Sequence, residues 1–306
     1  MSAGFAVLSL GGGVQSSTLA EMACDGTLGP LRAIVFADTG GELPETYNHL
    51  DYLRGRAEQA GIEFLHVTAG NLRTDLVARH GRGGQPNLPV RIRHADGRLG
   101  RLNHYRCSFD YKRRPITRTV KRLCGPPGAW KQTRVEQWIG YSTDEATRMK
   151  AAEECRCGHN RTRRATSTRP YLQIHTGDGC TRCTCTRWEP WQVNRWPLIE
   201  LGMTRDDCAT WLREHERPLP PRSACWFCPN RPARHFLELK RARPALFAQA
   251  VALDEFLRHG INGLHGQAYL HPTGQPLTHI NNANPADGSP GPDAAGMDCE
   301  AGVCFT

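Results

Sequence analysis

The chain has no run of about 18 consecutive apolar residues, so no segment of it can cross a bilayer as a helix. Its N-terminus has no basic segment ahead of the apolar stretch Phe5–Leu10, and that stretch is too short for an export signal. The expected compartment is therefore the cytoplasm, with no membrane partner. No Gly-Lys-Ser/Thr follows its first glycines, and the spacing G-x-G-x-x-G is absent, so neither a Walker loop nor the dinucleotide fingerprint is present. There is no internal repeat. Acidic residues are scarce where basic ones crowd. Between Arg73 and Arg122 fourteen Lys or Arg face only Asp75, Asp96 and Asp110, within a chain of net charge +9. Such an excess suits an anionic partner, a nucleic acid or a phosphorylated small molecule, or is simply an arginine-rich surface. The chain does have thirteen cysteines, an odd number in clustered pairs, which argues for metal ligation or redox chemistry over a disulfide framework. With 306 residues, 39% of them hydrophobic, and a mean hydropathy of −0.53, it is long enough for one large domain or two modest ones.

Phe5–Leu10 (FAVLSL), closed by three glycines, reads as a buried strand, and Leu19, Met22 and Ala23 recur at helical spacing across Gln15–Cys24. A second strand over Leu31–Ala37 ends at Asp38-Thr39-Gly40. Pro44–Ala60 reads as a helix, and Glu63–Val67 as a third strand. Strand and helix alternating in this way predict a doubly wound, mostly parallel α/β sheet with helices on both faces. Such sheets bind ligands beyond the carboxyl ends of their strands, where the glycines and Asp38 would lie. The stretch from Gly81 to Arg101 reads as a long basic loop, and Val135–Tyr141 as a further strand. The expected organisation is a nucleotide-binding core over 1–150, a Cys/Arg-rich insertion over 151–191, a continuation of the core over 192–240, and a helical extension with a Cys-containing tail over 241–306. Helices are expected at Thr204–His215, with Thr204 as N-cap, and at Pro244–His259.

A strand running through Ser9-Leu10-Gly11-Gly12-Gly13-Val14-Gln15-Ser16-Ser17 into a helix suits a phosphate. Glycines let the backbone approach, its amides point inward, and the helix dipole adds positive potential. The other reading of such glycines is a tight strand-to-helix turn. Asp38 at a strand end can bind a water of Mg²⁺ or an adenosine hydroxyl, or can cap the next helix. Cys225-x-x-Cys228 before a proline is a tight chelate suited to iron–sulfur or zinc. Cys155, Cys157, Cys180 and Cys183 bracket a core-poor insertion and predict a structural Zn²⁺ site, with Cys185 or His159 able to replace one ligand. Cys24, Cys124 and Cys208 read as packing residues.

These segments, in order, resemble the PP-loop ATP pyrophosphatase superfamily (the adenine nucleotide alpha hydrolase fold) and, within it, the phosphoadenosine-phosphosulfate reductase-like branch. Gly11 to Ser16 occupies the loop that usually reads Ser-Gly-Gly-x-Asp-Ser, with Gly for its first Ser and Gln15 for its Asp. Phe36 to Thr46 is similar to the Asp-Thr-Gly…Pro-Glu-Thr segment, Arg106-Cys107-Ser108…Lys112…Pro115 to the Cys-Cys…Lys…Pro segment, and Ile139-Gly140-Tyr141-Ser142…Glu145…Arg148 to the Gly-x-Arg…Glu-Ser…Arg strand end. Trp196 to Glu200 and Cys225 to Pro229 complete the series, which spans roughly residues 5 to 230. The resemblance implies that Ser9, Gly11, Gly12, Gly13, Gln15, Ser16, Ser17, Asp38, Thr39 and Gly140 hold ATP. It implies that Lys112 and Arg148 neutralise charge on the leaving pyrophosphate. It also implies that Cys107 joins Cys225 and Cys228 on a [4Fe–4S] cluster. Cys299 and Cys304 are loosely similar to the reductases' terminal segment, so Cys304 is a candidate sulfur carrier or a further cluster ligand.

The reaction expected on this basis is ATP-dependent adenylation of a substrate followed by sulfur transfer, with tRNA or DNA as acceptor and a sulfur donor protein as a further partner. Two alternatives stand beside it: a sulfonucleotide reductase that consumes no ATP, and a nucleotide-sensing, nucleic-acid-binding module without catalysis.

Overall fold

A computed structural model describes residues 2–80, 88–102, 106–148, 153–154, 160–165, 170–175, 191–260 and 264–280. The expected alternation opens the chain. β1 (Ser2–Leu10) is followed by α1 (Val14–Cys24), β2 (Ala33–Asp38), α2 (Pro44–Gln59), β3 (Glu63–Thr68) and α3 (Leu72–His80). A short hairpin comes next, β4 (Arg91–Arg93) and β5 (Leu99–Arg101). A helical stretch then runs from α4 (Arg106–Ser108) through a π turn at Phe109–Arg113 into α5 (Arg114–Leu123), ahead of β6 (Thr133–Ile139). Beyond a 3₁₀ turn over Thr143–Arg148 lie β7 (Glu153–Glu154), β8 (Asn160–Ala165) and β9 (Pro170–His175), an antiparallel trio. β10 (Gln192–Arg195), α6 (Pro197–Glu200), α7 (Arg205–Glu214), α8 (Ala233–Ala242), α9 (Pro244–Gly260) and β11 (Gln267–Tyr269) follow.

The main sheet has the order β10-β6-β1-β2-β3 and all of its pairings are parallel. β1 is central, so its side chains are covered on both faces; Val7, Leu8 and Leu10 are buried, as a continuous apolar run requires. One face packs Leu8, Leu10, Ile34 and Phe36 against Leu19 of α1 and Leu50 and Leu53 of α2. The other packs Val7, Val35 and Val135 against Ile116 and Val120 of α5. The chain winds outward from β1 to β3, then restarts on the far side with β6. The order therefore reverses between β1 and β6, and that switch point opens a crevice at the strands' carboxyl ends.

Two expectations need correction. The stretch from Gly81 to Arg101 is not wholly loop, because β4 and β5 pair in it and Val90 and Ile92 are buried. The C-terminal extension is not purely helical either, because β11 adds to that hairpin with Ala268 opposite Ile92. Together with α3, α8 and α9 they enclose a third core containing Phe227, Phe236, Leu253, Leu257 and Leu277. The buried Asp254 pins the turn beyond β11 by accepting from the Leu270 and Leu277 amides, at 2.8 and 3.1 Å.

Candidate functional site

α1 begins without help from any side chain. Its N-cap is Gly13, in an extended conformation, with no side-chain cap and no acidic residue in the first turn. The first amides of a helix have no acceptor inside it, and here no side chain caps them. The approach to them is shaped by glycine. Gly12 has φ +79°, which L side chains rarely adopt. Gly140, just past β6, lies so close to α1 that a Cβ there would be 2.9 Å from the Ser16 amide nitrogen. A Cβ on Gly13 would meet nothing within 4 Å, so that position faces open space.

A cleft of about 700 Å³, counted out to its mouth, lies at the switch point between β1 and β6. Ser9, Gly11, Gly13, Gln15 and Ser16 line it on one side, Ile139, Gly140 and Tyr141 on another, and Pro220 to Ser223 form its outer wall. Lys112, Arg205 and Arg222 contribute the positive charge. Lys112 reaches the cleft because the π turn rotates it inward, where it is buried. Ser223 joins the outer wall to the loop by donating to the Gly11 carbonyl at 2.6 Å.

Of the residues expected to hold a nucleotide, Ser9, Gly11, Gly13, Gln15, Ser16 and Gly140 therefore meet in one cleft with Lys112. Ser9 accepts from Gln137, and the Ser16 hydroxyl accepts from the Gly11 amide at 3.1 Å and donates to the Gly13 carbonyl at 3.2 Å. The Gln15 amide donates to Ser142 at 3.3 Å and to Glu145 at 3.1 Å, so its side chain latches α1 to the turn after β6. Ser17 points elsewhere. Its amide donates to the Gly13 carbonyl and its hydroxyl meets His49 at 3.0 Å, in the core beneath α2. Burial lowers the His49 pKa to about 4, so that ring is neutral.

Asp38 and Thr39 organise the adjoining turn. One Asp38 oxygen accepts from the Gly40 amide at 2.7 Å and from the Tyr47 hydroxyl at 3.0 Å; the other lies 3.1 Å from His66. Both oxygens are thus engaged, and the cap of α2 is Leu43 rather than Asp38. The Thr39 hydroxyl lies 3.1 Å from the Cys225 sulfur.

The three thiols expected on a cluster gather only in part. Cys225 and Cys228 share a tight turn, with the Cys228 amide donating to the Cys225 carbonyl at 3.0 Å. Cys107 is near enough to raise the Cys225 pKa. Burial is the main cause of that shift and, with Glu42, takes the thiol up to about 12, so it is protonated at neutral pH. Among the described residues no group of three or more His, Cys, Asp or Glu is placed to hold a metal ion. Cys155, Cys157, Cys180, Cys183 and Cys304 lie outside the described residues, as does the side chain of Arg148.

Part of the basic excess is engaged within the fold. Arg93 donates to the Gly274 and Thr273 carbonyls, Arg101 to Asn230, Arg114 to Asp110, and Arg122 to Thr119. Lys121 lies 4.0 Å from the centre of the Trp130 ring. Arg205 and Arg222 line the cleft without being singled out by the sequence, and two residues of the loop's surroundings are not singled out either. Glu42 is buried beside Ser223, Lys112 and Arg231; burial raises its pKa, and its Oε1 has no hydrogen-bond partner. Ser223 is the other. Glu42 stands in the segment that begins at Phe36, whereas nothing local marks Ser223, which meets Gly11 only through folding.

The chain matches no protein-family model, and no curated protein is similar to it.

Proposed function

We propose that the chain binds ATP in the crevice between β1 and β6 and adenylates a substrate, as the first half of a sulfur transfer to a nucleic acid. The reading rests on one observation: the uncapped start of α1, the glycines of its loop, Gly140 and buried Lys112 all line the same cleft. The adenine nucleotide rather than another phosphate ligand is preferred on the ordered resemblance of the segments that supply those residues.

In this reading the backbone of Gly11 to Gly13 and the first turn of α1 bind the phosphates. A substrate oxygen attacks the α-phosphorus, the bond from that phosphorus to the bridging oxygen breaks, and pyrophosphate leaves with the bonding electrons. Lys112 and Arg222 face the charge that grows on the leaving group. A sulfur nucleophile then displaces AMP from the activated substrate. Cys225, held as a thiol, is unsuited to be that nucleophile unaided. The sulfur is therefore assigned to a donor outside the described residues, a partner protein or the tail carrying Cys304.

The test is release of pyrophosphate from ATP, measured with and without added RNA or DNA. Release stimulated by one of these supports the reading. Sulfite release from a sulfonucleotide, with no pyrophosphate from ATP, would replace it with the reductase. Nucleotide binding with neither product would leave the sensing module.

A further inference from the structure

The π turn at Phe109–Arg113 sends its side chains two ways. Tyr111 and Lys112 are buried, Lys112 in the wall of the cleft, whereas Phe109 is 44% exposed and belongs to none of the three cores. The Arg113 and Arg114 guanidiniums lie 5.6 and 5.2 Å from the centre of the Phe109 ring. Arg113 also interacts electrostatically with Tyr141 of the cleft wall, so this patch stands beside the cleft. An exposed aromatic ring flanked by guanidiniums is a platform on which an unpaired base can stack.

From this patch α5 runs back toward the start of β6. Its buried face is Pro115, Ile116, Thr119 and Val120. Arg114, Arg118 and Arg122 are all exposed and four residues apart, so they form one ridge about 12 Å long. Asp110, the single acid from Arg106 to Arg134, is paired with Arg114 at 3.0 Å. Arg122 donates to the Thr119 hydroxyl, a neutral partner that leaves its charge in place. At the far end of the helix Lys121 and Lys131 lie 4.0 and 5.9 Å from the centre of the half-buried Trp130 ring. A row of cations that starts at a stacking platform matches a polymer of phosphates and bases. We infer that Phe109 and the α5 ridge are the dock of a single-stranded nucleic acid, with one base on the Phe109 ring, phosphates along Arg118 and Arg122, and the strand led past Arg113 to the cleft. A duplex fits less well, because its bases are stacked on one another and closed to Phe109. The strand's role as acceptor rests on the adenylation reading above; the dock does not.

The experiment titrates the full chain, without ATP and over a series of salt concentrations, with a short fluorescent oligothymidylate and with the same strand paired to its complement. Phe109 and Arg118 are exposed, so Phe109→Ala and Arg118→Gln keep the fold. Phe109→Ala should weaken the single strand about tenfold at every salt concentration, the loss of one stacked base. Arg118→Gln should weaken it too, and should flatten the slope of log affinity against log salt by about 0.7, the loss of one phosphate contact. The native chain should hold the single strand more tightly than the duplex. The inference is overturned if the native chain binds no strand, if the duplex binds as tightly, or if either variant leaves the affinity where it was. An acidic protein as the true occupant of the ridge gives the first of these results. Pyrophosphate release then separates the dock from the adenylation reading. A chain that binds the strand through Phe109 but releases none from ATP keeps the dock and loses that reading. Release stimulated equally by the strand in the native and Phe109→Ala proteins keeps the reading and overturns the dock.

Discussion

Replacing Gly140 by alanine adds one methyl group at the most crowded point of the cleft. That methyl would lie 2.9 Å from the Ser16 amide nitrogen, 3.0 Å from the Ser16 Cα and 3.2 Å from the Gln15 carbonyl carbon. Ordinary contacts of this kind need about 3.5–4.0 Å, so β6 and the start of α1 must separate by about 0.5–1 Å. All three atoms are backbone, and no rotamer change relieves them. Overpacking of this order costs about 1–3 kcal/mol, which lowers Tm by several degrees in a chain of this size. The same displacement misaims the amides of α1. At about 1 kcal/mol for each misaligned hydrogen bond, two of them weaken ATP binding by about thirtyfold. Gly13→Ser is the contrasting variant. Serine is a favoured N-cap, and its side chain meets open space. It should therefore raise or preserve Tm while its hydroxyl takes an α1 amide from the ligand and weakens binding. Thermal unfolding and ATP titration on both variants decide the matter. A Gly140→Ala protein with native Tm and native affinity refutes the close approach, and a Gly13→Ser protein that binds ATP normally refutes the role of the α1 amides.

Glu42 is buried with its pKa raised, so the folded state holds a proton that the unfolded state gives up above about pH 4.5. Stability is lost as pH rises through that window, and Glu42→Gln should have the higher urea midpoint at pH 7 and no advantage at pH 4; a lower midpoint at pH 7 would mean a charged, paired carboxylate. His49, His235 and His271 have pKa values lowered to about 4 by burial. Their ring resonances should stay flat through pH 6.5 and move only near 4, and each should contribute a loss of stability as pH falls across that interval; a resonance titrating near 6.5 would show an exposed ring. Cys225, with its pKa pushed up to about 12, should resist iodoacetamide at pH 8 until the chain is unfolded, as followed by peptide mass mapping. Rapid labelling in the native state would show a thiolate and reopen its candidacy as the nucleophile.

What the sequence disclosed tracks how local each cause is. β1, α1, β2 and α2 announce themselves because apolar periodicity and the glycines at 11–13 act within a few residues. A ligand site beyond the strands' carboxyl ends follows from that alternation; its place between β1 and β6 follows only from the strand order. β4, β5 and β11 escaped because each is three residues long, with arginine at both ends of β4 and at the end of β5, so no alternation develops. The hydrogen bonds of Asp38 and Ser17 are not legible in the sequence for another reason. Their residue types suit phosphate or metal chemistry, and their partners Tyr47, His66 and His49 lie on other elements and meet them only through folding. Gly140 was identified through resemblance; the steric cause, a backbone 2.9 Å away, becomes visible only once α1 and β6 are adjacent. Ser223 has no local signal, because its partner is the carbonyl of Gly11.

The pairing of β11 with β4 bears on how the chain comes into being. Synthesis proceeds from the N-terminus at about 5–20 residues per second, so Ile92 precedes its partner Ala268 by about 10–35 s. During that interval the main sheet can acquire β1, β2, β3 and β6, while the apolar residues Leu88, Val90 and Ile92 have nothing from α9 or β11 to cover them. Of the three cores of the described residues, the third is thus the last able to assemble. The outer wall of the cleft, from Pro220 onward, also emerges late, so a nascent chain builds its phosphate loop well before it can close a cavity around a ligand.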